Sequence, residues 1–537
     1  MHILYKRRRH LRRQGEKMSK FLQGTVILIA AGFITKILGF INRIVVARMI
    51  GDEGVGLYMM AVPTLVLAIT ATQIGLPVAI SKLVAEAEAA GDRQRVKQIL
   101  VVSLATTGAL SIVLLPALIA AAPWLSRTMF TDPRTYYPLL AIAPIVPIVA
   151  ISSVLRGYFQ GRQQMKPYAY SLLLEQIVRI SLIALCTQPL LPYGVEYAAA
   201  GAMASSVLGE LAALLYLLFL FKVKKSIRLR TKFFHYVQAG KETFVRLMRI
   251  ALPTTGGRLI GSLSWFFEPI VVANSLALAG IAASTATRQY GQLVGYALPL
   301  LTLPSFITYA LSTALVPAIS EAMAQRKLLL VEYRIAQAMR LSLVTGGLST
   351  VVLYLFAEPL MRWMYGTSEA AIFIQVMAPF FLLYYFQGPL QAVLQGLDLA
   401  NAAMTNSLIG AVVKLVCIFV LASRPSLGIM GAALATAVST VLVTLLHFAT
   451  VVKVVSFSID AREYIKALGA IIAAGAIGYA LSRHPLLAVP APLWTLLAMA
   501  ATAALYAACL VLFRLIRREE LVYLPGLHWL AGKNKRK

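Results

Sequence analysis

The sequence predicts an all-α polytopic membrane protein: fourteen transmembrane helices, arranged as two parallel six-helix repeats with two further helices at the C-terminal end. Three observations predict it. Of 537 residues, 59% are hydrophobic and only 13% charged, with a mean hydropathy of +0.77, whereas soluble domains sit near 45–50% apolar and about 25% charged. Basic residues concentrate in alternate connections between the apolar runs, and the first half of the chain reappears in the second.

A helix needs about 20 apolar residues to cross about 30 Å of hydrocarbon. Windows of that length centre near residues 34, 68, 109, 148, 177 and 209, then 260, 303, 346, 384, 412 and 440, and finally 474 and 503. The segments follow in order: a basic cytoplasmic tail (1–20), an N-terminal six-helix lobe (21–222), a basic cytoplasmic linker (223–246), a second six-helix lobe (247–453), transmembrane helices 13 and 14 (464–516) and a basic cytoplasmic tail (517–537). Met18-Ser19-Lys20 has the look of a start of translation. The apolar run from Phe21 is too long for a secretory signal and is read as a retained first span.

The net charge of +29, from 50 Lys+Arg against 21 Asp+Glu, would suggest nucleic acid in a soluble chain. With both termini placed inside, most of these cations fall on the cytoplasmic side, and the outer loops keep Arg48, Arg127, Arg134, Arg288, Arg362, Arg424 and Arg483. This is the positive-inside pattern of a cell-membrane protein. No nucleic-acid partner is needed to explain it. Anionic membrane lipids are the expected partners of the inner cations. The linker interleaves Phe233-Phe234-His235-Tyr236-Val237 with basic residues, which suits a helix on the anionic inner leaflet as well as a solvated connection.

The repeat is carried by Ala143-Pro144 and Gln160-Gly161, which recur at the same spacing as Ala378-Pro379 and Gln395-Gly396. Leu76-Pro77-Val78-Ala79-Ile80-Ser81 recurs as Leu315-Val316-Pro317-Ala318-Ile319-Ser320, and Ala200-Gly201-Ala202 as Met430-Gly431-Ala432. Six spans per copy bring both copies in from the same side, so the repeats are parallel and a central site with alternating access is expected.

Ionisable residues within spans cost about 2.5–3.5 kcal/mol on insertion scales and therefore mark cavities or partners. In span 1, Gly32, Lys36, Gly39 and Arg43 share one helical face. In span 7, Arg258, Gly261, Trp265 and Glu268 form a second stripe, followed by Pro269, which is expected to bend the helix. Together they would make a cavity of net positive charge, suited to a phosphate or diphosphate. Glu268 can also pair with Arg258 or Arg43 and hold the lobes closed, and Lys36 and Arg43 can snorkel to opposite interfaces. Glu175 and Arg179 form an i,i+4 pair in span 5. Lys414 in span 11 either pairs with Glu210 or fills the place of a transported cation. Asn401, Thr405 and Asn406 fit interhelical hydrogen bonds better than an ion path.

No P-loop, H-E-x-x-H or G-x-S-x-G occurs, so no catalytic residue is assigned and an enzyme is not expected. Cys186, Cys417 and Cys509 lie in apolar runs without a C-x-x-C, which suggests neither a disulfide framework nor a metal site. No cofactor is implied. Gly51-Asp52-Glu53-Gly54-Val55-Gly56 reads as a turn in an outer loop.

Several stretches carry a family likeness: Gly39-Phe40-Ile41-Asn42-Arg43, Ala47-Arg48-Met49-Ile50-Gly51, Gly54-Val55-Gly56-Leu57-Tyr58, Ser152-Ser153-Val154-Leu155-Arg156-Gly157-Tyr158-Phe159-Gln160-Gly161 and Trp265-Phe266-Phe267-Glu268-Pro269. They resemble the polysaccharide-export and lipid II flippase branch of the multidrug/oligosaccharidyl-lipid/polysaccharide exporter superfamily, from about Met18 to residue 515. The branch includes proteins implicated in spore cortex peptidoglycan. Related lipid II flippases carry Ser-Arg-x-Leu-Gly-Phe-x-Arg-Asp where this chain has Thr35-Lys36-Ile37-Leu38-Gly39-Phe40-Ile41-Asn42-Arg43. The second cation is thus shifted by one position, about 100° around the helix.

The resemblance implies a flippase for an undecaprenyl-diphosphate-linked peptidoglycan or polysaccharide precursor, working by alternating access for spore cortex synthesis. Lys36, Arg43 and Arg258 would hold the diphosphate, Glu268 would compete for those cations in the empty site, and cortex-synthesis membrane enzymes would be neighbours. Helices 13 and 14, rich in small residues such as Gly469, Gly475 and Gly478, would guide the lipid tail or pack tightly. Two alternatives stand beside this reading: a cation-coupled multidrug exporter, and a non-transporting scaffold for cortex synthesis.

Overall fold

The computed structural model describes residues 2–223, 233–455, 461–484, 489–513 and 515. Among these the chain is helical, without a strand, and its packing divides it into two compact units, Met1–Gly295 and Tyr296–Lys537. The first holds α1 (His2–Gln73), α2 (Leu76–Ala89), α3 (Arg93–Trp124), α4 (Tyr136–Ile142), α5 (Ile145–Gly161), α6 (Met165–Thr187), α7 (Val195–Val223), α8 (Phe233–Gln238), α9 (Lys241–Leu278) and α10 (Ala283–Tyr290). The second holds α11 (Leu298–Thr302), α12 (Ser305–Ala324), α13 (Leu328–Leu355), α14 (Ala357–Tyr365), α15 (Ala371–Gly396), α16 (Ala400–Ala422), α17 (Ile429–Val454), α18 (Ala461–Arg483) and α19 (Ala491–Leu512).

Among the described residues, 13 helical stretches are long and apolar enough to cross a membrane. The first, Ala30–Ala89, has 60 residues, about 90 Å of helix at 1.5 Å per residue against about 30 Å of hydrocarbon. It contains the centres of both expected first spans, and the expected fourteen and these thirteen differ at this place. The backbone of α1 reaches back through the basic tail to His2.

Inside α1 the regular helix breaks at Gly51, whose φ of 67° and ψ of −177° suit a residue without Cβ. The turn expected over Gly51–Gly56 is present as a break at its first residue, where two helices meet. One glycine supplies the break, and Asp52–Gly56 carry on as helix. Gly56 serves packing instead: a Cβ there would collide with the Thr287 carbonyl oxygen.

The repeat is visible as recurring backbone solutions. Gly161 at the end of α5 lies so close to α2 that a Cβ would sit 2.7 Å from the Ser81 carbonyl oxygen, and Gly396 at the end of α15 is in the same position against Ile319 of α12, at 2.8 Å. Two residues beyond each glycine, Gln163 and Asp398 both take positive φ, 57° and 61°. Gly201 meets the Cys186 carbonyl and Gly431 the Leu421 carbonyl. Such close crossings exclude any side chain, which explains why these glycines stand at matching places in both copies.

Buried apolar residues form a core within each unit: Leu76, Ile80, Val84, Ile99, Leu100, Tyr158 and Phe159 in the first, and Ile319, Val331, Ile335, Leu390, Val393 and Tyr506 in the second. Residues 224–232 of the linker and 516–537 of the C-terminal tail lie outside the described residues. The aromatic part of the linker docks on the start of α3, with Lys97 Nζ 4.9 Å from the Tyr236 ring centroid and Gln98 Nε2 donating to the Ala239 carbonyl at 3.0 Å. Helix α9 opens the second repeat in sequence but packs inside the first unit.

Candidate functional site

All four charged residues of the two stripes, Lys36, Arg43, Arg258 and Glu268, lie in the first unit, on α1 and α9, which pack together. Lys36 and Arg258 are exposed and Arg43 half-buried. Gly32 and Gly39 on α1 and Gly256 and Gly261 on α9 border open space: a Cβ added at any of them meets nothing within 4 Å. These small residues leave room beside the cations, unlike Gly56 or Gly161, which are closed by neighbouring backbone. The open side of α1 also carries the apolar Phe33, Ile37 and Ile41. Asn42, at the place of the second cation in the related pattern, is buried with its Oδ1 unbonded.

Glu268 does not share that openness. It is 6% exposed and lies within electrostatic range of Tyr290, whose hydroxyl is buried without a hydrogen-bond partner. Pro269 does not interrupt α9, which continues to Leu278.

Beyond this end of the stripes, α10 is tied down by a polar network that the sequence reading missed. Arg134 donates from Nη1 to Glu53 Oε1 at 2.7 Å and from Nη2 to Asp132 Oδ2 at 2.9 Å. Thr287 Oγ1 donates to the same Asp132 oxygen at 2.8 Å, and Gln292 Nε2 donates to Asp52 Oδ2 at 2.7 Å. Asn274 Nδ2 reaches the Met129 carbonyl at 2.9 Å. Burial raises the Asp132 pKa, but hydrogen bonds from Arg134 and Thr287 and the Arg134 charge outweigh it and hold the carboxyl below the ordinary carboxylate value. Apart from the neighbours Asp132 and Arg134, the partners lie far apart in sequence, and only the density of Asp, Glu and Arg in the outer connections could have pointed to them.

The expected Glu175–Arg179 pair forms, at 2.9 Å, but as part of a buried quartet. Arg156 Nη2 on α5 donates to Glu210 of α7 at 3.1 Å and to Glu175 of α6 at 3.4 Å. Arg156, which appears in the sequence only as part of a family motif, lies inside the span Pro133–Gly161 with a side chain 13% exposed. Glu210, offered as a partner for Lys414, is engaged by Arg156.

In the second unit, Lys414 is half-buried on α16. Asn406 lies 3.3 Å from His447 Nδ1 and donates to Thr450 at 3.0 Å, the interhelical bonding expected of it. Of the glycines in the last helix pair, Gly475 borders open space and Gly469 meets only Phe513, whereas Gly478 packs tightly on Thr502 and Leu355.

Residues 21–323 match the family described as polysaccharide biosynthesis protein, and residues 293–420 match the MatE family. Stage V sporulation protein B of Bacillus subtilis is 63% identical over 94% of this chain and 98% of its own. The lipid II flippase MurJ of the same organism is 25% identical over 74% of this chain and 76% of its own. A solved structure of lipid II flippase MurJ in an inward closed conformation superimposes with a TM-score of 0.67, at 15% identity, over 91% of this chain and 99% of that one. With its family match spanning more than half its length and its close likeness to stage V sporulation protein B, the chain belongs to the polysaccharide biosynthesis protein family.

Proposed function

We propose that the chain flips an undecaprenyl-diphosphate-linked peptidoglycan or polysaccharide precursor across the cytoplasmic membrane for spore cortex synthesis, with both termini cytoplasmic. The observation that carries this reading is the pairing of Lys36 and Arg258 with open space at Gly32, Gly39, Gly256 and Gly261 on two packed helices. Guanidinium and ammonium groups beside a cavity bind a diphosphate, and the apolar Phe33, Ile37 and Ile41 beside them accept an isoprenoid stem. The resemblance to proteins named for sporulation and for lipid II supports the substrate class.

Lys36, Arg43 and Arg258 hold the diphosphate in this scheme, and Glu268 acts as counter-charge and gate. The Glu175–Arg179 pair, within its quartet, keeps the first lobe rigid, and Lys414 fills the position of a coupling cation. The network around Arg134 and Asp132 closes the outer end while substrate enters from inside. The open flank of α18 at Gly469 and Gly475 accepts the tail. Each elementary charge is worth about 2.3 kcal/mol per 100 mV, so two negative charges leaving an inside-negative cell release about 4–5 kcal/mol, and the membrane potential can drive the step. Reconstituted protein should translocate lipid II in proteoliposomes, faster under an inside-negative potential. Absence of translocation under either condition would sink the assignment.

The MatE match over residues 293–420 favours a second reading, a cation-coupled multidrug exporter. Its test is efflux of a cationic dye driven by an imposed cation gradient. The stripes on α1 and α9 carry three cations against one carboxylate, the wrong sign for a cationic drug.

A further inference from the structure

A cavity of about 710 Å³ lies within the second unit, between the end of α13, α14, the start of α15 and the hairpin of α18 and α19. Glu358, Arg362 and Trp363 of α14 line it together with Tyr479 and Arg483 of α18 and Trp494 of α19. Its walls are built by specific local features. The chain leaves helical geometry at Phe356 (φ −108°), which separates α14 from α13. Trp494 Nε1 donates to the Leu481 carbonyl at 2.9 Å and pins the hairpin. The Arg483 guanidinium lies 5.4 Å from the Tyr479 ring centroid, within cation–π range.

Two guanidinium groups face one carboxylate here, so the cavity favours an anion. Both arginines occupy last turns of their helices, where a cation also offsets the carbonyl end. That role does not require them to converge on one space. Tryptophan and tyrosine collect at headgroup depth in membrane proteins. On the same helices as the lining residues Gln375, Pro492, Trp494 and Thr495, Ile372 on α15 and Leu493 and Leu496 on α19 are 47%, 46% and 54% exposed, apolar side chains available to acyl chains. The space is far larger than one phosphate ion needs.

We propose that this cavity holds the phosphate headgroup of an anionic membrane lipid, with Arg362 and Arg483 on the phosphate oxygens and the acyl chains along Leu493 and Leu496. On the topology proposed above it opens to the outer leaflet, and the lipid braces the last helix pair against α13–α15. The site is independent of transport, so it stands or falls apart from the flippase reading.

The test uses the full chain in nanodiscs of phosphatidylcholine alone or mixed with phosphatidylglycerol, together with native mass spectrometry. Wild type is expected to retain phosphatidylglycerol adducts and to melt several degrees higher with that lipid. The R362Q/R483Q double variant should lose adduct retention at least tenfold and lose the shift, while melting like wild type in phosphatidylcholine. R424Q, at an exposed outer arginine elsewhere in the unit, should behave as wild type. Equal retention by the double variant and wild type overturns the site. Inorganic phosphate reproducing the full shift in phosphatidylcholine overturns the lipid assignment. If the double variant unfolds in phosphatidylcholine, the single variants decide: each should lose retention at least threefold, and unchanged retention in both refutes the proposal.

Discussion

Arg134 holds Glu53 at 2.7 Å with one arm of its guanidinium and Asp132 at 2.9 Å with the other, so a single side chain joins α1 to the connection before α4. Asp132 in turn accepts from Thr287, which extends the tie to α10. Removal of Arg134 leaves a nearly inaccessible carboxylate without its main partner. We expect Arg134→Ala to cost about 1–3 kcal/mol, read as a lowered melting temperature. Glu53→Gln should cost much less, because that carboxylate is a third exposed.

The pH dependence of this tie has a definite sign. The Asp132 pKa is depressed in the folded chain, so its contribution is fully present above the ordinary aspartate value, about 3.9, and is lost as pH falls through the depressed value. The share of stability owed to Asp132 should therefore stay constant from pH 8 to 5 and decline only in stronger acid. Melting curves of wild type and Asp132→Asn should run parallel between pH 5 and 8 and converge below. Convergence already near pH 6 would contradict the assignment.

If the network closes the outer end during transport, preventing its opening must stop turnover. Asp52→Cys with Gln292→Cys replaces a pair in hydrogen-bond contact at 2.7 Å. Joining the two with a short cleavable bismaleimide should abolish lipid II translocation, and cleaving the linker should restore it. Full-rate translocation by completely cross-linked protein would show that this contact need not separate.

For the cationic stripes, a hydrogen-bonded charge on a phosphate is worth about 1.5–3 kcal/mol, or about 10–150-fold. Lys36→Ala and Arg258→Ala, at normal abundance, should each reduce translocation or cortex complementation by at least tenfold. Full support by both variants would remove these residues from the site.

The buried quartet predicts an asymmetry. Arg156→Ala strips a shared donor from two carboxylates and should destabilise by about 3–5 kcal/mol, visible as loss of folded protein. Glu210→Gln keeps a hydrogen-bonding group beside Arg156 and should be milder. Comparable losses in the two would mean that Arg156 does not organise the cluster.

What could be read from the sequence follows from where the physics is local. Gly161 and Gly396 announce the repeat because a crossing without room for a Cβ constrains one position in each copy, whatever surrounds it. Lys36 and Arg258 are visible because cations in an apolar run need a reason. Arg156 was hidden because a window of hydropathy places the end of a span only to within a few residues, and a helix longer than the hydrocarbon carries its last turns beyond it. The partnership of Asp132 with Thr287 was hidden for another reason: the two are 155 residues apart, and neither shows a local pattern. Within Gly51–Gly56 only Gly51 breaks the helix, while Gly56 serves a close contact: glycine marks both, and only the neighbour, here the Thr287 carbonyl, tells which.

Helix α9 gives the molecule an unequal inheritance. By descent it is the opening helix of the duplicate, but by cohesion it belongs with the original. A gene cut at the linker would therefore yield two products of unlike completeness: one missing a helix against which its α1 rests, the other carrying that helix without its packing partners. The duplication is legible in the text of the chain, but its two copies are no longer separable goods.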